Sequence, residues 1–240
     1  MKKITKCIIF MTIFWGFRSA LADGQSKQKS MEIVKGDIAR LNNLQFSNST
    51  AMAKEFFGPK LSGPVLGKFL SDRIKNFITN EAPNGHVRAS TIGNTTILYS
   101  DYFTLPQIRR IAILLHEARH ADPKGEFPHT RCPSDSFQFN NKIYFFKNLK
   151  DLGNQASCDF NDQGAYSLQG TFFINVKLFC TNCAEDEKDF AWGGFFDEGL
   201  VRITNENSAK RFVDQNLVSV IADPNKIVDE GLSAYQNFQK

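Results

Sequence analysis

Residues 104–122 read TLPQIRRIAILLHEARHAD, and this stretch carries the strongest helix signals in the chain. The hydroxyl of Thr104 can cap a helix, the proline two residues later fits the first turn, and Gln107 completes a capping box. An apolar body occupies positions 108–115. Pro123 disfavours the helical conformation of the residue before it. The sequence therefore predicts a helix that begins after Thr104 and ends one residue before Pro123.

The segments around this helix predict an α+β fold. β-branched and aromatic residues at 95–103 predict a strand directly before it. Apolar residues at helical spacing predict helices at 31–44, 65–78 and 164–182 and from Ser208 onward, interrupted at Pro224. A strand or short helix is expected at 140–149, and Trp192-Gly193-Gly194-Phe195 is typical of a turn. We expect a small sheet packed on the central helix, followed by a mostly helical C-terminal part.

Three of the four histidines, His116, His120 and His129, fall within fourteen residues. A spacing of four places His116 and His120 on one face of the helix, one turn apart. Two imidazoles so placed can bind one Zn²⁺, each at about 2.0–2.1 Å. Glu117 is rotated by about 100° from His116 around the helix axis, which places it beside the metal. The spacing predicts a metal site in which Glu117 is the general base for a water whose pKa the metal lowers.

The segment LLHEARHAD at 114–122 resembles the HExxH motif of the zincin metallopeptidases. The resemblance implies zinc-dependent hydrolysis of peptide bonds, with the two helical histidines as ligands and Glu117 as catalytic base. In that superfamily a strand before the helix is the edge along which an extended peptide substrate pairs, and residues 96–100 are expected to take that place. Arg119 is charged where the superfamily usually keeps uncharged residues, so we expect it to point away from the metal or to pair with a carboxylate.

The third metal ligand has more than one candidate. Metzincins have HExxHxxGxxH, and the order His120, Gly125, His129 resembles that arrangement with three additional residues. This resemblance implies that His129 completes the zinc site. Aspzincins take an aspartate from GTxDxxYG, which the segment around Asp162 and Tyr166 matches loosely.

Asp162, Tyr166 and three later glutamates have further possible roles. Asp162 can equally cap a helix. Gluzincins use a glutamate from a later helix, for which Glu185, Glu187 and Glu198 are available. Tyr166 is expected to donate a hydrogen bond to the oxyanion of a transition state.

Residues 1–22 predict an export signal. Three lysines precede an apolar stretch at 7–17, and Ala20-Leu21-Ala22 fits the pattern that signal peptidases cut. We expect cleavage near Ala22 and a periplasmic or secreted protein. The signal holds four of the 29 basic residues and no acid, which leaves 25 basic against 25 acidic residues. A neutral exported chain is not expected to bind nucleic acid or an anionic membrane.

The remaining cysteines predict the disulfides, and the chain is expected to divide into three segments. Four cysteines follow residue 22, and in an exported chain they predict two disulfides, for which we favour Cys132–Cys158 and Cys180–Cys183. The second is a CxxC that can also be a redox pair or a metal clip. We expect a signal at 1–22, a polar helical segment at 23–44 and a zincin-like metalloprotein domain at 45–240.

The expected function is that of an exported zinc metallopeptidase acting on a peptide or protein substrate, with no membrane span in the mature chain. One alternative is an exported zinc-binding or interaction module on a zincin-like scaffold without turnover. Another is a metal-free protein whose histidines form a polar cluster.

Overall fold

The computed structural model describes residues 26–80, 87–123, 125, 127–132, 136–145 and 156–238. The predicted export signal and its cleavage near Ala22 lie outside these residues. So does the last part of the element predicted at 140–149.

The described chain is α+β and mostly helical, with small sheets, as the sequence predicts. Helices α1–α4 cover residues 26–43, Ala51–Phe57, Gly63–Arg73 and Gln107–His120. Helices α5–α8 cover Ala165–Phe179, Glu185–Asp197, Glu206–Val213 and Pro224–Phe238. Strands β1–β7 cover Asn76–Asn80, Ala89–Ile92, Thr95–Tyr99, Thr130–Arg131, Ser136–Phe139, Lys142–Phe145 and Ala156–Cys158.

The largest described sheet has the order β1-β3-β2, with β1 parallel and β2 antiparallel to β3. Residues 96–99 of the segment 96–100, which was expected to form the substrate-binding edge, therefore lie in the central strand of the sheet. That expectation was wrong, because Gly93 (φ +59°) allows a tight turn that folds β2 back onto β3. The edge beside the central helix is β2.

The helix predicted at 65–78 ends earlier than expected. Helix α3 stops at Arg73, and Asn76–Asn80 forms strand β1. The burial of side chains alternates along this strand, with Phe77 half-buried and Ile78 exposed, as the two faces of a strand at the sheet edge require. The backbone N–H of Lys75 donates to the Asn94 carbonyl (2.8 Å), which ties the helix exit to the β2–β3 turn.

The capping box predicted for the central helix does not form. Helix α4 begins at Gln107, after Pro106, without a side-chain cap. The Thr104 hydroxyl donates to the Asp101 carbonyl (2.9 Å), and the Gln107 amide donates to Asp37 (3.2 Å). A contact with a residue distant in sequence thus displaces the local one. The helix also ends at His120, two residues earlier than predicted.

Helix α1 is anchored on the start of α4 by a buried carboxylate. Asp37 is fully buried and accepts hydrogen bonds from the Tyr102 hydroxyl (2.9 Å) and from Nε and Nη2 of Arg110 (both 2.8 Å). Val34 and Leu41 of the same helix belong to the hydrophobic core. The residues before position 45 therefore share one core with α4.

Helices α5 and α6 form the centre of the helical part. Helix α5 buries almost its whole length, as the apolar stretch at 164–182 predicts. The predicted turn at 192–195 is wrong, because these residues lie inside α6. Gly194 has a packing reason instead: a Cβ there would lie 2.7 Å from the Phe173 ring, so glycine allows the two helices to approach.

Both predicted disulfides are present, joining Cys132 to Cys158 and Cys180 to Cys183. The first crosslinks two segments that also pair as strands β4 and β7. Strands β5 and β6 form a hairpin, so the strand reading of the segment that starts at 140 is confirmed as far as it is described. Within the described ranges, no helix is both long and apolar enough to span a bilayer.

Candidate metal centre

His116, His120 and His129 converge on one point. The first two lie one turn apart on α4, and His129 comes from the loop before β4. Their Nε2 atoms form a nearly equilateral triangle, with separations of 3.1 Å (116 to 129), 3.2 Å (116 to 120) and 3.0 Å (120 to 129). The predicted histidine triad is thus brought together in the structure.

The triangle has the geometry of a cation site. The ring centroids lie 4.5–5.0 Å apart, farther than the nitrogens, so the rings point their Nε2 atoms inward. Three inward-facing nitrogens cannot satisfy one another, because an N–H that points to the centre is not aimed at a neighbouring lone pair. Two ligands of a tetrahedral zinc with bonds of about 2.0–2.1 Å lie about 3.3 Å apart. The group can therefore hold a metal ion.

Burial keeps the two helical imidazoles neutral, which is the state that binds a metal. The pKa of His116 lies well below its ordinary value because of burial, and because His120 and His129 are close. Burial, with the neighbouring His129, lowers the pKa of His120 to about 4. Nδ1 of His116 lacks a hydrogen bond of good geometry among the described residues, although the Gln169 side chain lies close enough to raise this pKa.

Glu117 is a buried carboxylate on the same helix. It is 5% exposed, and its Oε2 accepts a hydrogen bond from the Thr91 hydroxyl of β2 (2.8 Å). The Thr96 hydroxyl lies 2.9 Å from that of Thr91, so a hydroxyl pair extends from the sheet to the carboxylate. Burial raises the pKa of Glu117 to about 7, while the Thr91 hydrogen bond lowers it. A pKa near neutrality suits a group that takes and returns protons.

Tyr166, in the first turn of α5, packs against the histidine group. Its ring centroid lies 4.6 Å from that of His116 and 4.7 Å from that of His129. The Arg202 guanidinium lies 5.1 Å from the Tyr166 ring centroid. Burial raises the pKa of Tyr166, so its hydroxyl is protonated at neutral pH and remains a hydrogen-bond donor.

The loop that carries His129 is held from two sides. Thr130 of β4 pairs with Cys158 of β7, and Cys132 is joined to Cys158 by a disulfide. The next residue, Asp159, places its Oδ1 3.3 Å from Nδ1 of His129. No motif in the sequence predicted a role for Asp159. The signal was present, because the favoured Cys132–Cys158 pairing places the residue after Cys158 beside the His129 loop.

No match is found when the chain is compared with protein-family profiles, with curated proteins and with solved structures. A functional conclusion therefore depends on the geometry of this centre.

The other candidate ligands are engaged elsewhere in the described structure. Asp162 pairs with Arg211 and does not cap α5, whose N-cap is Gly164. Each later glutamate also has a cationic partner: Glu185 with Lys188, Glu187 with Arg40, and Glu198 with Arg109. The structure thus gathers His129 at the centre and leaves these four carboxylates outside the histidine group.

Arg119 behaves as expected for a charged residue inside the motif. Its Nη1 donates to Asp122 (2.8 Å), and Nε and Nη2 donate to the Gln163 carbonyl (2.9 and 2.8 Å). Its guanidinium lies 3.5 Å from the ring centroid of Phe127. Arg119 therefore links α4 to the segments on either side of it, and the prediction of a carboxylate partner is confirmed.

Proposed function

We propose that this protein is a zinc-dependent hydrolase that cleaves peptide bonds with Glu117 as general base. The observation that carries the proposal is the triangle of Nε2 atoms from His116, His120 and His129 with a buried carboxylate on the adjacent helical position. The resemblance of residues 114–122 to the zincins supports the same chemistry. Two disulfides agree with the proposed site of action outside the cytoplasm.

Each side chain has a role in this mechanism. A zinc ion held by the three imidazoles would supply a Lewis acid and a nucleophilic water at neutral pH. Glu117 would act as the general base, taking a proton from the attacking water and returning it to the leaving nitrogen. The protonated Tyr166 donates a hydrogen bond to the oxyanion that develops on the carbonyl.

Strand β2 is the proposed place for an extended substrate. It is an edge of the described three-stranded sheet, and its Thr91 contacts Glu117 directly. A peptide that adds to this edge by backbone hydrogen bonds would lie next to the catalytic carboxylate. We therefore assign to β2 the pairing with an extended substrate that the resemblance implies for residues 96–100.

The test is hydrolysis of a mixed peptide substrate by the purified, zinc-loaded protein. We expect cleavage that a chelator abolishes and that Glu117→Gln reduces by at least about 100-fold without loss of zinc. Glu185→Gln, an exposed glutamate on α6, is the matched control and should leave the rate unchanged. If the wild type binds zinc but cleaves no peptide, the proposed peptidase activity is contradicted and a zinc-binding module is favoured.

A further inference from the structure

His129 differs from the other two histidines in its support. His116 and His120 are fixed by the α4 backbone, whereas His129 lies on a loop after two prolines, Pro123 and Pro128. Loop side chains are held less firmly than helical ones unless a neighbour orients them. The neighbour here is Asp159, which is 2% exposed and has its Oδ1 3.3 Å from Nδ1 of His129.

Asp159 is itself rigidly placed. Its Oδ2 accepts a hydrogen bond from the backbone N–H of Ser167 (3.0 Å). Its own backbone N–H donates to the Arg202 carbonyl (2.7 Å), and its carbonyl accepts from Thr204 N–H (2.9 Å). A Cβ at Gly164 would overlap the Asp159 carboxylate, so glycine leaves the space in which the carboxylate lies.

We propose that Asp159 is the positioning residue for His129. Nδ1–H of His129 donates to the carboxylate, which leaves Nε2 unprotonated and turned toward the other two imidazoles. A carboxylate on the remote nitrogen of a ligand histidine fixes its tautomer and ring orientation. This inference rests on the proposed metal site, and it assigns to Asp159 a role that the HExxH motif does not contain.

The first test compares zinc affinity in two aspartate variants. In Asp159→Asn, one of the two positions becomes an NH₂ group, so a single oxygen remains to accept from either the Ser167 N–H or His129. When the oxygen stays with Ser167, the NH₂ group faces Nδ1 of His129 and favours the opposite tautomer. We expect zinc affinity, measured by competition with a chromophoric chelator, to fall by about 10–100-fold. Asp162→Asn, three residues along and paired with Arg211, is the matched control and should change the affinity less than about twofold. Equal affinities in the two variants would overturn the proposal.

A double-mutant cycle separates positioning from a general structural role. His116 and His120 should retain a weak residual zinc affinity in a His129→Ala background, which titration at high zinc concentration measures. If Asp159 acts through His129, Asp159→Asn should not weaken this residual affinity further. An equal loss in both backgrounds would show that Asp159 acts on the fold instead. The melting temperature of the metal-free variants should stay close to that of the metal-free wild type.

A second measurement needs neither a variant nor a metal. ¹⁵N NMR of the imidazoles in the metal-free wild type reports the tautomer of each of the four histidines. We expect His129 to be protonated on Nδ1 and unprotonated on Nε2. The opposite tautomer would overturn the role of Asp159 even if zinc binds, whereas failure to bind zinc with the expected tautomer would count only against the proposed hydrolase.

Discussion

Glu117 is the residue on which the proposed chemistry depends most. It is buried and follows His116 on helix α4, and among the described residues only Thr91 donates a hydrogen bond to its carboxylate. Burial without a cationic partner explains why its pKa rises from 4.5 to about 7 in the metal-free protein. Ionisation of the Glu117 carboxyl therefore lowers the free energy of unfolding of the metal-free protein.

The pH dependence of the free energy of unfolding, measured on the metal-free protein, tests the raised pKa of Glu117. The unfolded carboxyl loses its proton near pH 4.5 and the folded one near pH 7, so stability is lost as the pH rises between these values. Chemical denaturation in a chelator should show Glu117→Gln and wild type equally stable near pH 4, and the variant more stable by about 3 kcal/mol at pH 8. Glu185→Gln should show no such difference, and a wild type as stable as the variant at pH 8 would contradict the burial argument.

At the residue scale, spacing along a helix predicted more than long-range contacts did. The i, i+4 spacing of His116 and His120, and the offset of Glu117, follow from helix geometry alone. Thr91 and Asp159 were not predicted, because their contacts with Glu117 and His129 join residues 26 and 30 positions apart. No local pattern records such a contact.

Among the elements, the β4–β7 pair with its disulfide brings the third histidine to a helix that carries the other two. Strand β4 is only two residues long, so the Cys132–Cys158 bond supplies much of the constraint on the His129 loop. A ligand held in its binding position loses less entropy when the metal binds.

Removal of that disulfide should weaken the metal site. We expect Cys132→Ser/Cys158→Ser to bind zinc at least about 10-fold more weakly than wild type in chelator competition, because the His129 loop gains freedom. Cys180→Ser/Cys183→Ser removes the other bond, at the end of α5, and is the matched control, with affinity expected to be unchanged. The same loss in both variants would show that the effect is a general one on stability.

Element boundaries show where local cues were overruled. The sequence predicts a capping box between Thr104 and Gln107, but the Gln107 side chain donates a hydrogen bond to Asp37, 70 residues away in sequence. It placed a turn at the Gly193-Gly194 pair, but Gly194 serves the packing of α6 on Phe173. In both cases a tertiary contact decided the outcome between two conformations that local propensity allowed.

Across the described residues, helix α1 belongs to the main hydrophobic core. Val34, Leu41 and Leu44 belong to the same cluster of buried side chains as α4 and α5. The α+β class followed from the sequence because apolar periodicity is local. The order of the strands did not, because it depends on how the β2–β3 turn places one strand beside another.

Loss of the Asp37 anchor should destabilise the whole molecule. Asp37→Ala leaves Arg110, which is largely buried, without its carboxylate, and we expect the free energy of unfolding to fall by about 3–5 kcal/mol. Asp72→Ala removes an exposed pair with Lys68 on α3 and should leave the free energy of unfolding almost unchanged. Denaturant unfolding measures both, and a similar small loss in the two variants would contradict the anchoring role.

The zinc content of the purified protein shows whether the three histidines form a metal site. It is compared between wild type, His116→Ala, His120→Ala, His129→Ala and Asp162→Asn. We predict about one zinc per wild-type chain, loss of zinc in each histidine variant and retention in the aspartate variant. A wild type that takes up no zinc after reconstitution would contradict the proposed metal site. So would zinc that persists without His129 and disappears without Asp162.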